Sequence, residues 1–278
     1  MFTRRPSASR AFTLVEMLVV IGIIAVLVGL LLPAINMAVN AARRAAISLE
    51  ISQLANGIET YKQQKGEYPP SFGEDYGTPY TTVVERHLQR CYPKMTAAKK
   101  MDFYSKIDSD KVDQAEALVL WLRLVGTNPA DPFEMTATRS GYYEFDERRL
   151  NDDDGDSVPA YIAKYCRDTP YIYIENRTYG KHLSSANAAS GLSDSYYAQP
   201  YFADGTGNTA TTLKGINPTK FQIIAAGLDG DFGKIYNNTG STYSDLKLYP
   251  SGTKLEEGDL DNLTNFSEGR TLGDSRPQ

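Results

Sequence analysis

The stretch "RRPSASRAFTLVEMLVVIGIIAVLVGLLLPAI", residues 4–35, sets three arginines ahead of an apolar run interrupted by one charge, Glu16. Residues 12–32 number 21, and as a helix they rise roughly 30 Å, the thickness of a hydrocarbon core. The basic flank, Arg4, Arg5 and Arg10, predicts a cytoplasmic N-terminus with the rest of the chain facing away from the cytoplasm. Arg43 and Arg44 beyond the span reduce that asymmetry without reversing it. A secretory signal has a shorter apolar core, about 7–15 residues, and a small-x-small cleavage site; no such site clearly follows here. A plain single-span anchor accounts for the apolar run but not for Glu16, because a carboxylate in hydrocarbon costs about 2.5–3.5 kcal/mol on insertion scales.

The remaining composition is that of a folded protein: 278 residues, 41% hydrophobic and 23% charged, with room for one or two domains. The net charge is −5; with Arg4, Arg5 and Arg10 set aside, 29 basic side chains fall to 26 against 34 acidic ones. An acidic body excludes broad phosphate-neutralising nucleic-acid binding, so no nucleic acid is expected as a partner. Two cysteines, Cys91 and Cys166, allow either one disulfide or two free thiols. The two histidines, His87 and His182, lie far apart without HExxH spacing, so the sequence points to no histidine metal site or triad. Neither a GxSxG elbow nor a P-loop is present, and the reading is of a protein that is not an enzyme.

"RAFTLVEMLVVIGIIAVLVGLLLPAI" resembles the class III signal peptide and hydrophobic helix of type IV pilins and type II secretion pseudopilins. The resemblance implies cleavage between Ala11 and Phe12, N-methylation of Phe12, and retention of Glu16 in the membrane. Alanine at position 11 departs from the family's usual glycine. Pro33 matches the family's helix-interrupting proline. In the family's scheme Glu16 of an incoming subunit pairs with the Phe12 amine of a neighbour and sets the register of a growing filament. The other reading is a glutamate that snorkels to the interface.

The helical pattern continues past Pro33, where a kink or local melting is expected. Ile47, Ile51, Leu54, Ile58 and Tyr61 recur at helical spacing and predict one buried stripe, with Arg43, Arg44, Glu50, Gln53, Glu59 and Lys62 largely off it. Gly66 supplies a stop, with Pro69 and Pro70 beyond, and "GEYPPS" resembles the G-x-YP that ends this helix in pseudopilins. The expected divisions are a cytoplasmic leader, 1–11; a membrane and filament-core helix, 12–32; an amphipathic continuation, 33–66; and an extracytoplasmic globular domain, 67–278.

Within that domain, residues 67–108 read as irregular apart from a short helix at 82–92. A second helix is expected from Ser109 or Asp110 to Gly126, burying Ala117, Leu118, Trp121, Leu122 and Val125. Strands are expected at 141–146, 170–176 and 220–227, with a last one at 247–250 or 262–269. Pairing is expected to be antiparallel, because no helix of crossover length separates the later strands. Residues 180–219 read as a surface loop or elaborated hairpin, and the tail after 269 as loose. The fold class is therefore α+β: a long hydrophobic then amphipathic helix packed on a small antiparallel sheet, pilin-like, with large loop insertions.

Two acidic stretches near the C-terminus, "GLDGDFG" and "GDLDNLTN", offer Asp229, Asp231, Asp259, Asp261 and Asn262 as oxygen ligands for a hard cation. They resemble the GxDG…DDIxNW pair that holds calcium in major pseudopilins, with Asn262 in place of an expected aspartate; the other reading is Asp-Gly turns. A further cluster, Asp152, Asp153, Asp154 and Asp156, misses the calcium-loop register, since Leu150 falls at the first ligand position.

The expected function is a prepilin-like subunit, processed and polymerised into a type II secretion pseudopilus or related type IV pilus. Its expected partners are copies of itself, other pilins or pseudopilins, a prepilin peptidase, an inner-membrane assembly platform, and lipid before assembly. The competing readings are a minor tip pilin in adhesion or DNA uptake, and a membrane-tethered binding domain.

Overall fold

The computed structural model describes residues 13–72, 82–109, 112–134, 141–152, 158–180, 198–209, 211–236 and 243–277. Contacts divide the chain into two units, Met1–Ala42 and Arg43–Gln278. Helix α1, Leu14–Lys65, is 52 residues long.

In the first unit the helix is uninterrupted at Pro33. The expected local melting does not occur: the proline ring removes one N–H, whose partner would be the carbonyl of Gly29 four residues earlier, and the flanking Leu, Ile and Val side chains keep helical geometry. Every described residue of this unit is exposed. The helix contains a window with a mean hydropathy of 3.1 and no burial, long and apolar enough to cross a membrane.

In the second unit the helical stripe is the spine of the core. Ile47, Ile51, Leu54, Ile58 and Tyr61 are 0–1% exposed. The helix ends where expected: Gly66 takes a φ of +92°, a left-handed conformation that glycine adopts without a Cβ clash, and its N–H donates to the Lys62 carbonyl at 2.7 Å. The chain then runs extended through two prolines. The carbonyls of Tyr68, Pro69 and Pro70 accept from Arg177 Nη2, Tyr173 Oη and Trp121 Nε1, each at 2.8 Å. Side chains thus satisfy a segment that cannot build its own ladder.

Helix α2, Thr82–Cys91, matches expectation; α3, Ala97–Ser109, does not, since that stretch read as irregular. It buries only Phe103 and Tyr104 among its described side chains, too sparse an apolar pattern to signal a helix. Ser109 therefore ends α3 rather than starting the next helix, and Asp110 lies outside the described residues. The start is set instead by Asp113, whose Oδ1 accepts from the backbone N–H groups of Ala115 and Glu116. Helix α4, Ala117–Val119, runs into a π-turn, Leu120–Leu124. All five expected side chains are buried, and so are Val119 and Leu120, leaving only Arg123 and Leu124 half-buried at its end.

The strands are β1 (Leu150–Asn151), β2 (Ala160–Tyr161), β3 (Ile172–Glu175), β4 (Phe202–Ala203), β5 (Phe221–Ala225), β6 (Leu248–Tyr249) and β7 (Leu263–Thr264). Helix α5, Glu257–Leu260, precedes β7. The central sheet has the order β3-β5-β7, all antiparallel, with Tyr173 opposite Ile223 and Ile224 opposite Thr264. Its side chains alternate between two cores, as strand pleating requires. Tyr171, Tyr173, Ile223, Ala225 and Leu263 pack with the α1 stripe; Ile172, Ile174, Ile224 and Ala226 pack with Tyr201, Phe202 and Leu272. The architecture is a long apolar helix with small, mainly antiparallel sheets, an α+β arrangement consistent with a pilin-like fold.

Four local expectations are corrected. Residues 141–146 form no strand; Tyr142 and Tyr143 pack at Gly57, where a Cβ would sit 3.1 Å from the Tyr142 carbonyl. One small pair, β4 with β6, is parallel: the chain between them passes through β5, so no crossover helix is needed. Residues 198–203, read as surface loop, enter the core, and the Gln222 side chain pairs with both backbone groups of Tyr201 at 2.8 Å. The tail is fixed rather than loose: Leu272 is buried, its N–H donates to the Asn262 carbonyl, and that of Gly273 donates to the Leu260 carbonyl.

Candidate functional site

At the start of α1, Thr13 and Glu16 form a reciprocal cap. The Thr13 N–H and hydroxyl donate to Glu16 Oε2 at 2.8 and 2.9 Å, and the Glu16 N–H donates to Thr13 Oγ1 at 3.2 Å. This satisfies N–H groups that a helix start leaves without partners. The T-x-x-E spacing was legible in the sequence as a capping box, and attention to the charge alone missed it. Ala11 and Phe12 lie outside the described residues; Pro33 is in the helix interior. Around Glu16 the large apolar side chains Leu14, Val15, Met17, Leu18 and Val19 are all exposed, so this segment offers apolar area with nothing in its own unit to cover it.

The sequence placed Glu50 off the buried face, and the structure encloses it. Its carboxylate meets Arg149 in a two-pronged contact, Nη1 to Oε1 at 2.6 Å and Nη2 to Oε2 at 2.7 Å, and accepts from Tyr171 Oη at 2.6 Å and Tyr161 Oη at 3.1 Å. Burial raises its pKa, but the hydrogen bonds of Arg149 and Tyr171 and the Arg149 charge outweigh burial and hold it below the ordinary value. Such an arrangement locks α1 to the β1–β2 hairpin and to Tyr171 just before β3.

The two C-terminal acidic stretches do come together. A Cβ on Gly233 would overlap the Asp259 carboxylate, and one on Gly258 would lie 2.5 Å from the Asp231 carboxyl carbon. Their oxygens, however, are largely satisfied from within. Asp259 Oδ1 accepts from Lys247 Nζ at 2.7 Å and Tyr201 Oη at 2.9 Å, and its Oδ2 accepts from the Glu256 N–H. Asp261 accepts from Arg44 Nη2 and from the Leu228 N–H, both at 2.6 Å. Asp229 and Asp231 each accept a backbone N–H two residues on, as turn-forming aspartates do. Asn262 donates to Tyr201 Oη, and its Oδ1 is buried without a hydrogen-bond partner among the described residues. The Lys247 ammonium is 1% exposed and also donates to the Phe232 carbonyl. Burial lowers the Lys247 pKa and raises that of Asp259, and each charge opposes the shift of the other. An ammonium and a guanidinium thus already contact two of the carboxylates that a calcium ion would need, Asp259 and Asp261. In the other acidic cluster Asp152 is exposed, and Asp153, Asp154 and Asp156 lie outside the described residues.

Cys91 and Cys166 are free thiols. Cys166 donates to the Lys164 carbonyl at 3.3 Å; Cys91 lies near His87 and Glu67. His182 lies outside the described residues. Glu67 also contacts Arg177, which reaches Glu175 Oε2 at 2.8 Å. Burial raises the Glu67 pKa, but His87 and Arg177 outweigh it and hold the carboxyl down at about 2; Glu175 is pushed up by its burial to about 7 against the same Arg177.

No curated protein and no solved structure matches the chain. Residues 6–32 match the family model of the prokaryotic N-terminal methylation motif. The match covers Ala11, Phe12 and Glu16 together with the exposed apolar helix, and it supports a type IV pilin-like, prepilin-type chain handled by a prepilin peptidase and assembled with other pilins.

Proposed function

We propose that the chain is a prepilin-like structural subunit, cut between Ala11 and Phe12, methylated at Phe12, and polymerised through residues 12–65 into a type II secretion pseudopilus or a related type IV pilus. The observation that carries this reading is the methylation motif on a helix whose N-terminal part exposes every described side chain. Apolar area of that extent requires lipid before assembly and copies of the same helix after it. The subunit starts as a single-pass inner-membrane protein with its body on the periplasmic side.

Glu16 is retained through both states. Its capping contacts hold the carboxylate on Thr13, and the proposed cleavage gives Phe12, the preceding residue in sequence, an α-ammonium. An incoming Glu16 meeting that ammonium on a neighbour sets axial register, as a buried polar residue does in a coiled coil. Mass spectrometry of the purified mature chain tests the reading: it expects an N-terminal methyl-Phe12, and an intact Met1 overturns it.

A further inference from the structure

We propose that Glu67, His87 and Cys91 bind a zinc-class divalent metal ion, clamping α2 to the chain that leaves α1. One ligating atom from each lies within 4.8 Å of the others. His87 and Cys91 stand four apart on α2, hence on one face, and Glu67 follows the Gly66 stop. All three belong to the same compact unit.

The spacing suits a tetrahedral ion. Zinc–nitrogen bonds of about 2.0–2.1 Å and zinc–sulfur bonds of about 2.3 Å, opened to the tetrahedral angle, separate the two ligand atoms by about 3.6 Å. His87 Nδ1 and Cys91 Sγ are 3.6 Å apart. Nδ1 and Glu67 Oε1 are 2.8 Å apart in a hydrogen bond and need to open by about half an ångström to share the ion. The ligand chemistry, imidazole with thiolate and carboxylate, is that of zinc rather than calcium.

The surroundings supply the rest of a metal site. His87 Nε2 lies 2.8 Å from Tyr61 Oη, which lies 2.9 Å from Tyr92 Oη. An outer partner of this kind fixes the ring and its tautomer for a metal-binding imidazole. The ring is fully buried, stacked on Tyr61 and edge-on to Trp121. Cys91 borders a cavity of about 360 Å³ lined also by Lys65, Tyr92 and Thr127, which gives an ion a path to the thiol. Arg177 and Arg90 lie 3.4 and 3.5 Å from the Glu67 carboxylate and help to orient it.

The proton balance closes. Without metal, Cys91 S–H donates to the Lys65 carbonyl at 3.3 Å and Nδ1–H donates to Glu67. With metal, the Nδ1 proton is replaced by one on Nε2, donated to Tyr61, and the thiol proton leaves to solvent. One proton is released per ion, and the two anionic ligands match the 2+ charge.

Cobalt titration of the full chain in detergent micelles tests the site. One equivalent should bind with a thiolate-to-cobalt charge-transfer band, and zinc should displace it. Cys91→Ser should abolish the band, Cys166→Ser should leave it, and Tyr61→Phe should weaken zinc binding by about 10–100-fold. In the unaltered chain, zinc should protect Cys91 from iodoacetamide, a readout independent of any variant's folding. Cobalt binding without a thiolate band, a band lost in Cys166→Ser, or alkylation of Cys91 unchanged by zinc overturns the proposal. The filament reading stands or falls separately, on the mature N-terminus.

Discussion

Two parts of α1 are rich in Leu, Ile and Val, yet their side chains end in opposite circumstances. In residues 13–42 none is buried, whereas Ile47, Ile51, Leu54, Ile58 and Tyr61 are almost wholly enclosed. Each part also carries a glutamate among apolar neighbours. Glu16 finds its partner three residues away, in Thr13; Glu50 finds Arg149, Tyr161 and Tyr171, about 100 residues further along the chain. A carboxylate satisfied locally leaves its helix free to choose surroundings. One satisfied across the fold commits its helix to a single body. The first kind suits the exchange of lipid for protein proposed for this segment, and the second suits a spine.

The sharpest test of that contrast is removal of each charge. Glu50→Ala leaves Arg149 without its counter-ion in a largely buried position and should cost about 3–5 kcal/mol in the unfolding of the body. Glu16→Ala removes a cap and should loosen only the helix start, leaving the body's unfolding unchanged, while blocking incorporation into filaments. Denaturant unfolding of both variants in micelles, with a pull-down of assembled filament, reads both effects. Equal destabilisation by the two substitutions would break the distinction.

A second comparison sets apolar truncations side by side. Leu54→Ala, in a site that is 0% exposed, should cost about 2–5 kcal/mol. Leu27→Ala, 53% exposed, should leave the body's melting within about 0.5 kcal/mol and should act only on insertion or assembly. A drop in body stability from Leu27→Ala would show that the exposed part helps hold the fold.

The sequence announced the helix, its exposed and buried parts, its stop at Gly66 and the two longest strands, because each rests on local pattern: hydropathy, helical spacing, glycine and β-branched runs. What it hid is non-local. The inward turn of Glu50 depends on an arginine and two tyrosines brought by other elements. The two-residue strands β1, β2 and β4 are too short for alternation to register. His87 and Cys91 read as isolated residues because their third partner, Glu67, comes from beyond another helix's end. The two acidic stretches lie side by side, and their contacts with Lys247, from the chain between them, and with Arg44, from α1, have no local signature.

Arg177 offers a finer comparison, since it touches two carboxylates with opposite shifts. Glu175, raised from 4.5 to about 7, binds its proton more tightly when folded. Its contribution is full below about pH 4.5 and is lost as pH rises through about 7, at most about 3 kcal/mol. Glu67, lowered to about 2, contributes above about pH 4.5 and loses that contribution as pH falls toward 2. Melting temperature should therefore rise between pH 8 and pH 6, and Glu175→Gln should flatten that rise. An unchanged slope in the variant would assign the effect to other groups.

The smallest expected effect is a calcium response near zero. Lys247 donates to Asp259, and Arg44 to Asp261, so a calcium ion has to displace an ammonium held at 1% exposure and break a guanidinium contact before it gains a ligand. Millimolar calcium or a chelator should then leave the melting temperature unchanged. Lys247→Met removes the internal cation and leaves Asp259 buried with its charge unmatched, which should destabilise the body and make it responsive to calcium for the first time. A large calcium shift in the unaltered chain would mean that these oxygens rearrange around an ion, and that the lysine is a placeholder rather than the permanent occupant.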